Sequence, residues 1–269
     1  MKAFRYLTPG TAGEAVSLLD QHGPQARVIA GGQSLLLDMK TRTARPEALV
    51  SLAGVADLAG IRRADSGELV VGATTTYAAL TRAPLTGWHT EIASIAGNLA
   101  DRPVRTMGTV GGALCDANPR YDMLTLVAGT GARLEVLAPS GVRTLTADEF
   151  FAPGGGTTLA ADEILAAIRF PAADAYRRVV FEKFRPRTFD AALASVLGAA
   201  ESGSDRIRIT VGAVRPVPVV VGAATDPAAV AAEVLGADGG TSLVQYQREL
   251  VRTLTARTLS VALSTTLRS

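Results

Sequence analysis

Two short segments rich in glycine are the places where the backbone itself is best suited to bind an anion. The first runs Ala30-Gly31-Gly32-Gln33-Ser34-Leu35 and follows a short apolar stretch. The second runs from Thr106 to Leu114 and contains Gly108, Gly111 and Gly112. Because glycine has no Cβ, backbone N–H groups in such segments can approach a phosphate closely. An ordinary tight turn is the alternative for each, but two donor-rich loops suit a ligand with two phosphates.

Neither segment has a standard phosphate-binding fingerprint. The second has the order G-x-x-G-G, without the clear strand-then-helix context and acidic residue about 20 positions on that mark a dinucleotide-binding unit. No Gly-Lys-Ser/Thr follows it either, which excludes a P-loop. The sequence therefore predicts two glycine loops of another type.

Two polar segments are further candidates for the site. In the segment Asp116 to Asp122, Asn118-Pro119 favours a turn, and Asp122 either caps the following helix or faces the ligand. The segment Phe181 to Asp190 combines one Lys, two Arg and three Phe, which suits a cationic site or a solvated strand edge. Gly154-Gly155-Gly156 is expected to be a flexible loop.

Composition excludes several classes of function. Across 269 residues, 27 Lys and Arg balance 25 Asp and Glu without a long run of like charges, so no nucleic-acid footprint is expected. The single cysteine, Cys115, excludes iron–sulfur clusters and thiolate zinc sites within this chain. His22 and His89 stand far apart, and no metal site is predicted. No signal peptide or run of 18 apolar residues is visible, so a cytoplasmic protein is expected, with no membrane partner.

The elements that must position these residues are predicted from hydrophobic periodicity and turn residues. The first part of the chain is predicted to form a small α/β unit, and a second unit follows it. Helices are predicted at Thr11–Asp20, Thr76–Thr81, His89–Ala100 and Tyr121–Ala128, and strands at Arg27–Ala30, Ala48–Leu52, Leu69–Gly72, Arg133–Ala138, Gly141–Leu145 and Ile164–Phe170.

The pattern changes after Pro171 to Asp174, which is the expected domain boundary. An α/β domain over 1–171, with parts of about 1–55 and 56–171, precedes a smaller domain over 175–269. The fold class is α+β, and the second domain is expected to hold a three-stranded sheet with helices. Its strands are predicted at Val179–Phe184, Ala191–Ala199 and Arg206–Val214, and its helices at Ala228–Leu235 and Leu243–Leu263.

The order of these motifs resembles a known family. Ala30 to Leu35, then Thr109-Val110-Gly111-Gly112, then Asn118-Pro119-x-x-Asp122 is similar to the FAD-binding medium subunit of molybdenum hydroxylases. That family includes carbon monoxide dehydrogenase medium subunits and the flavin domain of xanthine dehydrogenase, with the FAD fold of p-cresol methylhydroxylase. Lys183, Arg187 and Asp190 continue the resemblance as the family's Lys-x-x-x-Arg-x-x-Asp.

The resemblance implies FAD as the cofactor and assigns roles by position. Residues implied to contact the FAD diphosphate are Ala30, Gly31, Gly32, Gln33, Ser34, Leu35, Thr109, Gly111, Gly112 and Ala113, with Thr106 opening the second segment. Asp122 is implied to bind toward the ribityl chain. Leu99, Leu165 and Lys183 match positions near the adenine or flavin ring, where a cation can stabilise reduced flavin. Many relatives have His-Ala-Asp-Pro where this chain has Asp116-Ala117-Asn118-Pro119.

The function implied is electron transfer in a heteromeric oxidoreductase. A molybdopterin large subunit and a [2Fe–2S] small subunit would be separate chains, and NAD, a quinone or oxygen would take the electrons. The first alternative is a stand-alone FAD-dependent oxidase or dehydrogenase, with Asp116, Tyr121 or Lys183 as candidate acid or base. The second is an assembly subunit without FAD, which the glycine loops disfavour.

Overall fold

The N-terminal part of the chain forms a small α/β unit with a three-stranded parallel sheet. The computed structural model describes residues 2–222, 225–237 and 241–264. The first elements are β1 (Arg5–Leu7), α1 (Ala12–His22), β2 (Ala26–Ile29), α2 (Leu35–Thr41) and β3 (Ala48–Ser51). The strands pair in parallel in the order β1-β3-β2. Thr11 begins α1 by accepting the Glu14 N–H, and α1 buries Ala15, Val16 and Leu19. Both predicted strands and the predicted α1 are confirmed.

A five-stranded antiparallel sheet and the helices between its strands follow. Its elements are β4 (Ile61–Arg63), β5 (Leu69–Gly72), α3 (Tyr77–Arg82), α4 (Thr90–Gly97), α5 (Arg102–Met107), α6 (Val110–Asp116), α7 (Asp122–Thr130), β6 (Arg133–Ala138), β7 (Gly141–Leu145), α8 (Ala147–Phe150) and β8 (Ile164–Phe170). The strand order is β4-β5-β8-β6-β7. All of α7 is buried, so this helix lies at the centre of the largest core cluster.

The second glycine segment is helical, which the sequence interpretation as a loop did not anticipate. Residues 102–107 and 110–116 form α5 and α6, with Gly108 between them. Thr109 caps α6 by accepting the Gly112 N–H at 3.1 Å. Glycine disfavours helix, but the close packing of Gly111 on Ala73 compensates for that weak propensity.

The C-terminal part contains one strand more than predicted. Its elements are β9 (Tyr176–Phe184), β10 (Ala194–Glu201), β11 (Ile207–Gly212), β12 (Val219–Val221), α9 (Pro227–Leu235) and α10 (Ser242–Leu263). The antiparallel sheet has the order β12-β11-β10-β9, so the expectation of three strands was wrong. The short β12 follows Pro216 and Pro218, which hid it in the sequence. Both predicted helices are confirmed, with Val251, Leu254 and Leu259 of α10 buried.

The five-stranded sheet and the C-terminal four-stranded sheet both contribute residues to the core cluster that contains α7. The Oγ1 of Thr125 lies 3.1 Å from the Oγ of Ser195 on β10, and a Cβ on Gly212 would stand 1.9 Å from the same Thr125 oxygen. The segment between β8 and β9 is tied down by Trp88, whose Nε1 donates to the Ala172 carbonyl at 2.8 Å. The predicted boundary at 171–174 lies in this segment, and the division into two domains stays a prediction.

Candidate functional site

The first glycine segment presents a row of unused backbone donors. It lies between the end of β2 and the start of α2, and Gly32 has a φ of +69°, which favours glycine. Within the described residues, no acceptor is hydrogen-bonded to the N–H groups of Gly31, Gly32, Gln33 or Ser34. These four residues are all at least partly accessible. Consecutive unsatisfied N–H groups at an accessible turn form a concave site for an anion.

The second glycine segment contributes close packing instead of backbone donors. The N–H of Gly111 donates to the Ala73 carbonyl at 2.8 Å, and the N–H of Val110 donates to the Thr75 carbonyl at 3.0 Å. The N–H of Gly112 is satisfied by the Thr109 hydroxyl. A Cβ on Gly111 would lie 2.5 Å from the Ala73 Cβ, so glycine is required there by steric contact. The Thr109 hydroxyl itself keeps a proton that it can donate.

The two glycine segments lie directly against each other. A Cβ on Gly31 would stand 2.0 Å from the Met107 carbonyl oxygen and 3.0 Å from the Gly108 Cα. Real Cβ atoms do not approach other atoms this closely, so only glycine fits at position 31. The structure therefore brings together two segments that are more than 70 residues apart in the chain.

Tyr121 connects the first segment to the start of α7. Its Oη lies 3.3 Å from the Ser34 Oγ, and either oxygen can be the donor. Burial raises the pKa of the Tyr121 phenol, the hydrogen bond with Ser34 lowers it, and the nearby Asp116 carboxylate raises it again. The phenol therefore stays protonated at neutral pH. Asp116 and Tyr121, two predicted acid–base candidates, are thus electrostatically coupled.

Asp122 forms a buried ion pair with Lys183. Asp122 is the first residue of α7, its carboxylate is 2% exposed, and the Nζ of Lys183 on β9 donates to its Oδ2. Burial raises the pKa of Asp122, while the charges of Lys183 and Arg185 oppose that shift. No side-chain cap bond forms at the start of α7. The alternative of Asp122 as a helix cap is therefore wrong.

The Lys183 side chain also reaches the turn after α4. Its Nζ donates to the Asn98 carbonyl at 3.2 Å, and Arg185 donates to the same oxygen at 2.9 Å. Arg105 donates to the Leu99 and Ala100 carbonyls, both at 2.7 Å. Three cationic side chains thus fix the turn that carries the predicted contact residue Leu99.

The remaining predicted contact residues differ in exposure. Thr106 is exposed on α5, where its hydroxyl donates to the Arg102 carbonyl, and Leu35 and Ala30 are half-buried. Ala113 and Leu165 are buried in the main core cluster, at 8% and 3% exposure. Contact of any of these residues with a cofactor stays a prediction.

Sequence reasoning missed the residues that position the site through their main chain. The Ala73 carbonyl accepts a hydrogen bond from the Gly111 N–H, and the Met107 backbone packs on Gly31. The Asn98 carbonyl accepts hydrogen bonds from Lys183 and Arg185. No side-chain motif marks such residues, because each acts through a carbonyl oxygen or a backbone contact.

A cleft lies beside the C-terminal end of α6. Its volume is about 630 Å³, and it is lined by Asp116–Arg120, Gly154–Gly156 and Ala213–Pro216. The triple glycine therefore borders an open cleft, and Ala213 stands in it with a φ of +69°. Arg120 is held in place by donating to the Ala191 and Ala192 carbonyls at 2.7 and 2.8 Å.

The described residues contain neither a metal-binding cluster nor a membrane-spanning helix. No group of three or more His, Cys, Asp or Glu is placed to hold a metal ion. No helix among residues 2–222, 225–237 and 241–264 is both long and apolar enough to cross a membrane. The expected cytoplasmic location stays a prediction.

Comparison with known proteins identifies the family. Residues 2–173 match the model for the FAD binding domain in molybdopterin dehydrogenase. The chain belongs to this family of FAD-binding domains. FAD is its cofactor, and oxidoreduction is its chemistry.

The relatives of this FAD-binding family member extend the match across the chain. The carbon monoxide dehydrogenase medium chain of Hydrogenophaga pseudoflava is 36% identical over 79% of this chain and 75% of its own. The caffeine dehydrogenase subunit beta of a Pseudomonas species is 29% identical over 81% and 75%. A structure of carbon monoxide dehydrogenase from Hydrogenophaga pseudoflava superposes with a TM-score of 0.85, at 31% identity and 97% coverage of both chains. Quinoline 2-oxidoreductase from Pseudomonas putida 86 gives 0.84, at 28% identity and 97% and 98% coverage.

The predicted family and α+β fold class are confirmed by these matches. The chain is an FAD subunit of the molybdenum hydroxylase type. The residues present fit FAD, because the N–H groups of residues 31–34 have no acceptor among the described residues and can donate to a diphosphate.

Proposed function

We propose that this chain transfers electrons within a heteromeric molybdenum hydroxylase, passing them from partner chains to an external acceptor. The proposal is supported by relatives that are named as medium chains or subunits of dehydrogenases. When bound, FAD supplies the capacity to accept and release electrons, and the protein determines its binding, access and potential.

The single observation that carries the proposal is the cradle formed by Gly31 and its neighbours. The free N–H groups of residues 31–34 suit the oxygens of a diphosphate, and Ser34 adds a hydroxyl. Thr109 and Gly112 of the second segment are proposed to contact the same diphosphate, and Gly111 positions them by packing on Ala73. Ala30, Leu35, Thr106 and Ala113 flank these two segments.

The residues around the Asp122–Lys183 pair would hold the remainder of FAD. Asp122 is proposed to face the ribityl chain, and Lys183 to place a positive charge near the flavin. Leu99 and Leu165 would offer apolar surface to the ring systems. Lys183 is partly buried and its ion pair with the buried Asp122 carboxylate fixes its position, which makes its charge a constant influence on the cofactor.

Partner chains are proposed because the relatives are named as medium chains or subunits. Its single cysteine cannot ligate an iron–sulfur cluster, so a [2Fe–2S] small subunit and a molybdopterin large subunit would be separate polypeptides. NAD, a quinone or oxygen remains open as the acceptor.

The proposal is tested by expressing the chain with and without the products of neighbouring reading frames. We expect the complex to contain molybdopterin and [2Fe–2S] chains, and its flavin absorbance to bleach when the substrate of the large subunit is added. The chain alone, loaded with FAD, should keep its absorbance under the same conditions. A chain that never binds FAD, or a complex whose flavin is not reduced, would contradict the proposal.

One observation favours the alternative of a stand-alone FAD-dependent oxidase or dehydrogenase. The cleft of about 630 Å³ is large enough for a small molecule and has Asp116 in its wall. Anaerobic titration of the FAD-loaded chain alone with small-molecule donors separates the two functions. Flavin bleaching without any partner chain would favour this alternative.

A further inference from the structure

The loop of residues 185–192 lies between β9 and β10 and directly follows the end of β9, which carries Lys183. The base of this loop is closed by the Leu193 N–H, which donates to the Phe184 carbonyl at 2.9 Å. The strand register places Lys183 opposite Ser195, near the start of β10. The end of β9 that carries Lys183 is therefore paired with the first residues of β10.

Arg120 holds the C-terminal end of this loop through two backbone carbonyls. Its Nε donates to the Ala192 carbonyl at 2.8 Å, and its Nη2 donates to the Ala191 carbonyl at 2.7 Å. Among the described residues, no other donor is hydrogen-bonded to either oxygen. Ala192 is 1% exposed, so loss of the Arg120 side chain would leave its carbonyl without a protein donor and largely shielded from water.

The same short segment also holds the other end of the loop. Asp122, two residues after Arg120, accepts a hydrogen bond from the Nζ of Lys183, just before the loop begins. Arg185, the first residue of the loop, donates to the Asn98 carbonyl at 2.9 Å. Arg120 and Asp122 therefore fix the chain on both sides of the loop, and strand pairing links the two sides.

We infer that Arg120 is a positioning residue for Lys183, and that it fixes the charge which Lys183 places near the flavin. The inference rests on the proposed FAD site, in which that charge stabilises reduced flavin. Without the Arg120 side chain, the start of β10 loses an anchor, and the paired end of β9 is held less firmly. The Lys183 ammonium then keeps its place less well, and the reduced cofactor is stabilised less.

The effect of position can be separated from the effect of charge by two substitutions of Arg120. Arg120→Met removes both the charge and the two hydrogen bonds. Arg120→Lys keeps the charge, but a compact ammonium replaces the planar fork that donates to two carbonyls at once. Arg120→Lys is also the milder change, and thermal unfolding of the apoproteins verifies that each variant is folded.

The first measurement is hydrogen–deuterium exchange of the Leu193 N–H in the apoproteins, which reports opening at the base of the loop. Two hydrogen bonds of ordinary strength correspond to roughly 30-fold in an opening equilibrium. We therefore expect this amide to exchange about 30-fold faster in R120M than in the wild type. In R120K we expect about a fivefold increase, because lysine can replace one of the two bonds.

The second measurement is the midpoint potential of bound FAD in the folded proteins. We expect R120M and R120K both to shift it to more negative values, because both release the end of β9. Arg215→Met is the matched control, since Arg215 lies in the wall of the same cleft as Arg120 and its Nε donates to the Val234 carbonyl at 2.8 Å. R215M removes an equal charge without touching the loop, so exchange at Leu193 and the midpoint potential should both stay as in the wild type.

Three results would overturn the inference. Wild-type exchange at Leu193 in R120M would show that Arg120 does not hold the loop. Faster exchange with an unchanged potential would show that the loop does not position Lys183. A wild-type potential in R120K, with a shift in R120M alone, would show that Arg120 acts by its charge.

Failure of the proposed function gives a different result, in which the wild-type apoprotein binds no FAD. That result also overturns the part of the inference that concerns the flavin. The exchange measurement on the apoproteins then still decides whether Arg120 holds the loop.

Discussion

The main chain of Gly31 lies so close to Met107 that a Cβ at position 31 would stand 2.0 Å from the Met107 carbonyl oxygen. This contact joins the turn after β2 to the end of α5. It places the free N–H groups of the first segment beside the second segment. Because the opposing atom belongs to the backbone, it cannot move aside as a flexible side chain would.

Gly31→Ala is expected to damage both the fold and the site. The new methyl group must displace the backbone at Met107, which costs about 1 to 3 kcal/mol in the free energy of unfolding. Displacement also moves the N–H groups of residues 31–34, so the dissociation constant of FAD should rise. Denaturant unfolding of the apoprotein and FAD titration measure the two effects.

Gly13→Ala is the matched control for this substitution. Gly13 lies in α1, and a Cβ there meets no atom within 4 Å. Alanine favours helix over glycine by up to about 1 kcal/mol, so this variant should be as stable as the wild type or more stable. Wild-type stability and FAD affinity in G31A would show that the close contact is absent.

Gly111→Val is expected to destabilise the apoprotein as well as to remove FAD. The Gly111 N–H already donates to Ala73, and the added side chain would collide with the Ala73 Cβ and carbonyl oxygen. The loss of FAD then follows from displacement of α6. Thermal unfolding of the apoprotein distinguishes the two causes. Displacement of α6 lowers the melting temperature, whereas the loss of a direct N–H bond to phosphate does not.

Gly111→Ala with Ala73→Gly serves as the compensating pair. Removing the Ala73 Cβ takes away the nearest clashing atom, so the double variant should regain part of the stability that Gly111→Ala loses. A stable Gly111→Val apoprotein without FAD affinity would instead assign Gly111 to direct phosphate binding.

Lys183→Met is expected to leave Asp122 as an unpaired buried charge. Removing one partner of a buried pair costs about 3 to 5 kcal/mol. Burial raises the pKa of Asp122 in the folded protein, so the unfolded chain loses its proton first as the pH rises. Stability of the variant should therefore fall with rising pH from the ordinary range of an aspartate through the raised folded pKa.

The double variant Asp122→Asn/Lys183→Met removes both charges and is the control for that prediction. Its stability should change much less with pH over the same range than that of Lys183→Met. Denaturant unfolding at several pH values measures both proteins. A pH-independent cost for Lys183→Met would contradict the assignment to the Asp122 charge.

Glu91 on α4 is expected to make the fold less stable above neutral pH. Its pKa is raised from 4.5 to about 7, chiefly by burial and also by the charge of Glu182, against the opposing effect of the Phe181 N–H. Glu91 ionises at a lower pH in the unfolded chain than in the folded protein. The free energy of unfolding therefore falls as the pH rises from 4.5 to about 7, and this loss stays constant at higher pH. Glu91→Gln should raise the melting temperature at about pH 8 and change it little at about pH 5.

Glu182→Gln offers an independent measure of the same effect. Removing the neighbouring negative charge should bring the pKa of Glu91 back toward its ordinary value and recover part of the stability at alkaline pH. An equal change in the melting temperature of Glu91→Gln at both pH values would contradict the raised pKa.

Much of the architecture was predictable because it depends on neighbours in the chain. Apolar spacing in α1 and α10 marks the buried faces that the structure shows, and Thr11 marks the start of α1. The paired glycine segments and Lys183 carried the family resemblance that the comparisons confirm. The helical state of residues 110–116 and the fourth strand β12 were missed, because packing on Ala73 and pairing with β11 outweigh weak local propensity.

The sequence by itself determined where flexible backbone and charged side chains occur, since both are properties of single residues and their spacing. The tertiary structure alone decided which of them meet. Ser34 and Tyr121 are 87 positions apart, and Asp122 and Lys183 are 61 apart, yet each pair is in hydrogen-bonding contact. Such contacts depend on how α7 packs between the two sheets, and no local pattern encodes that packing.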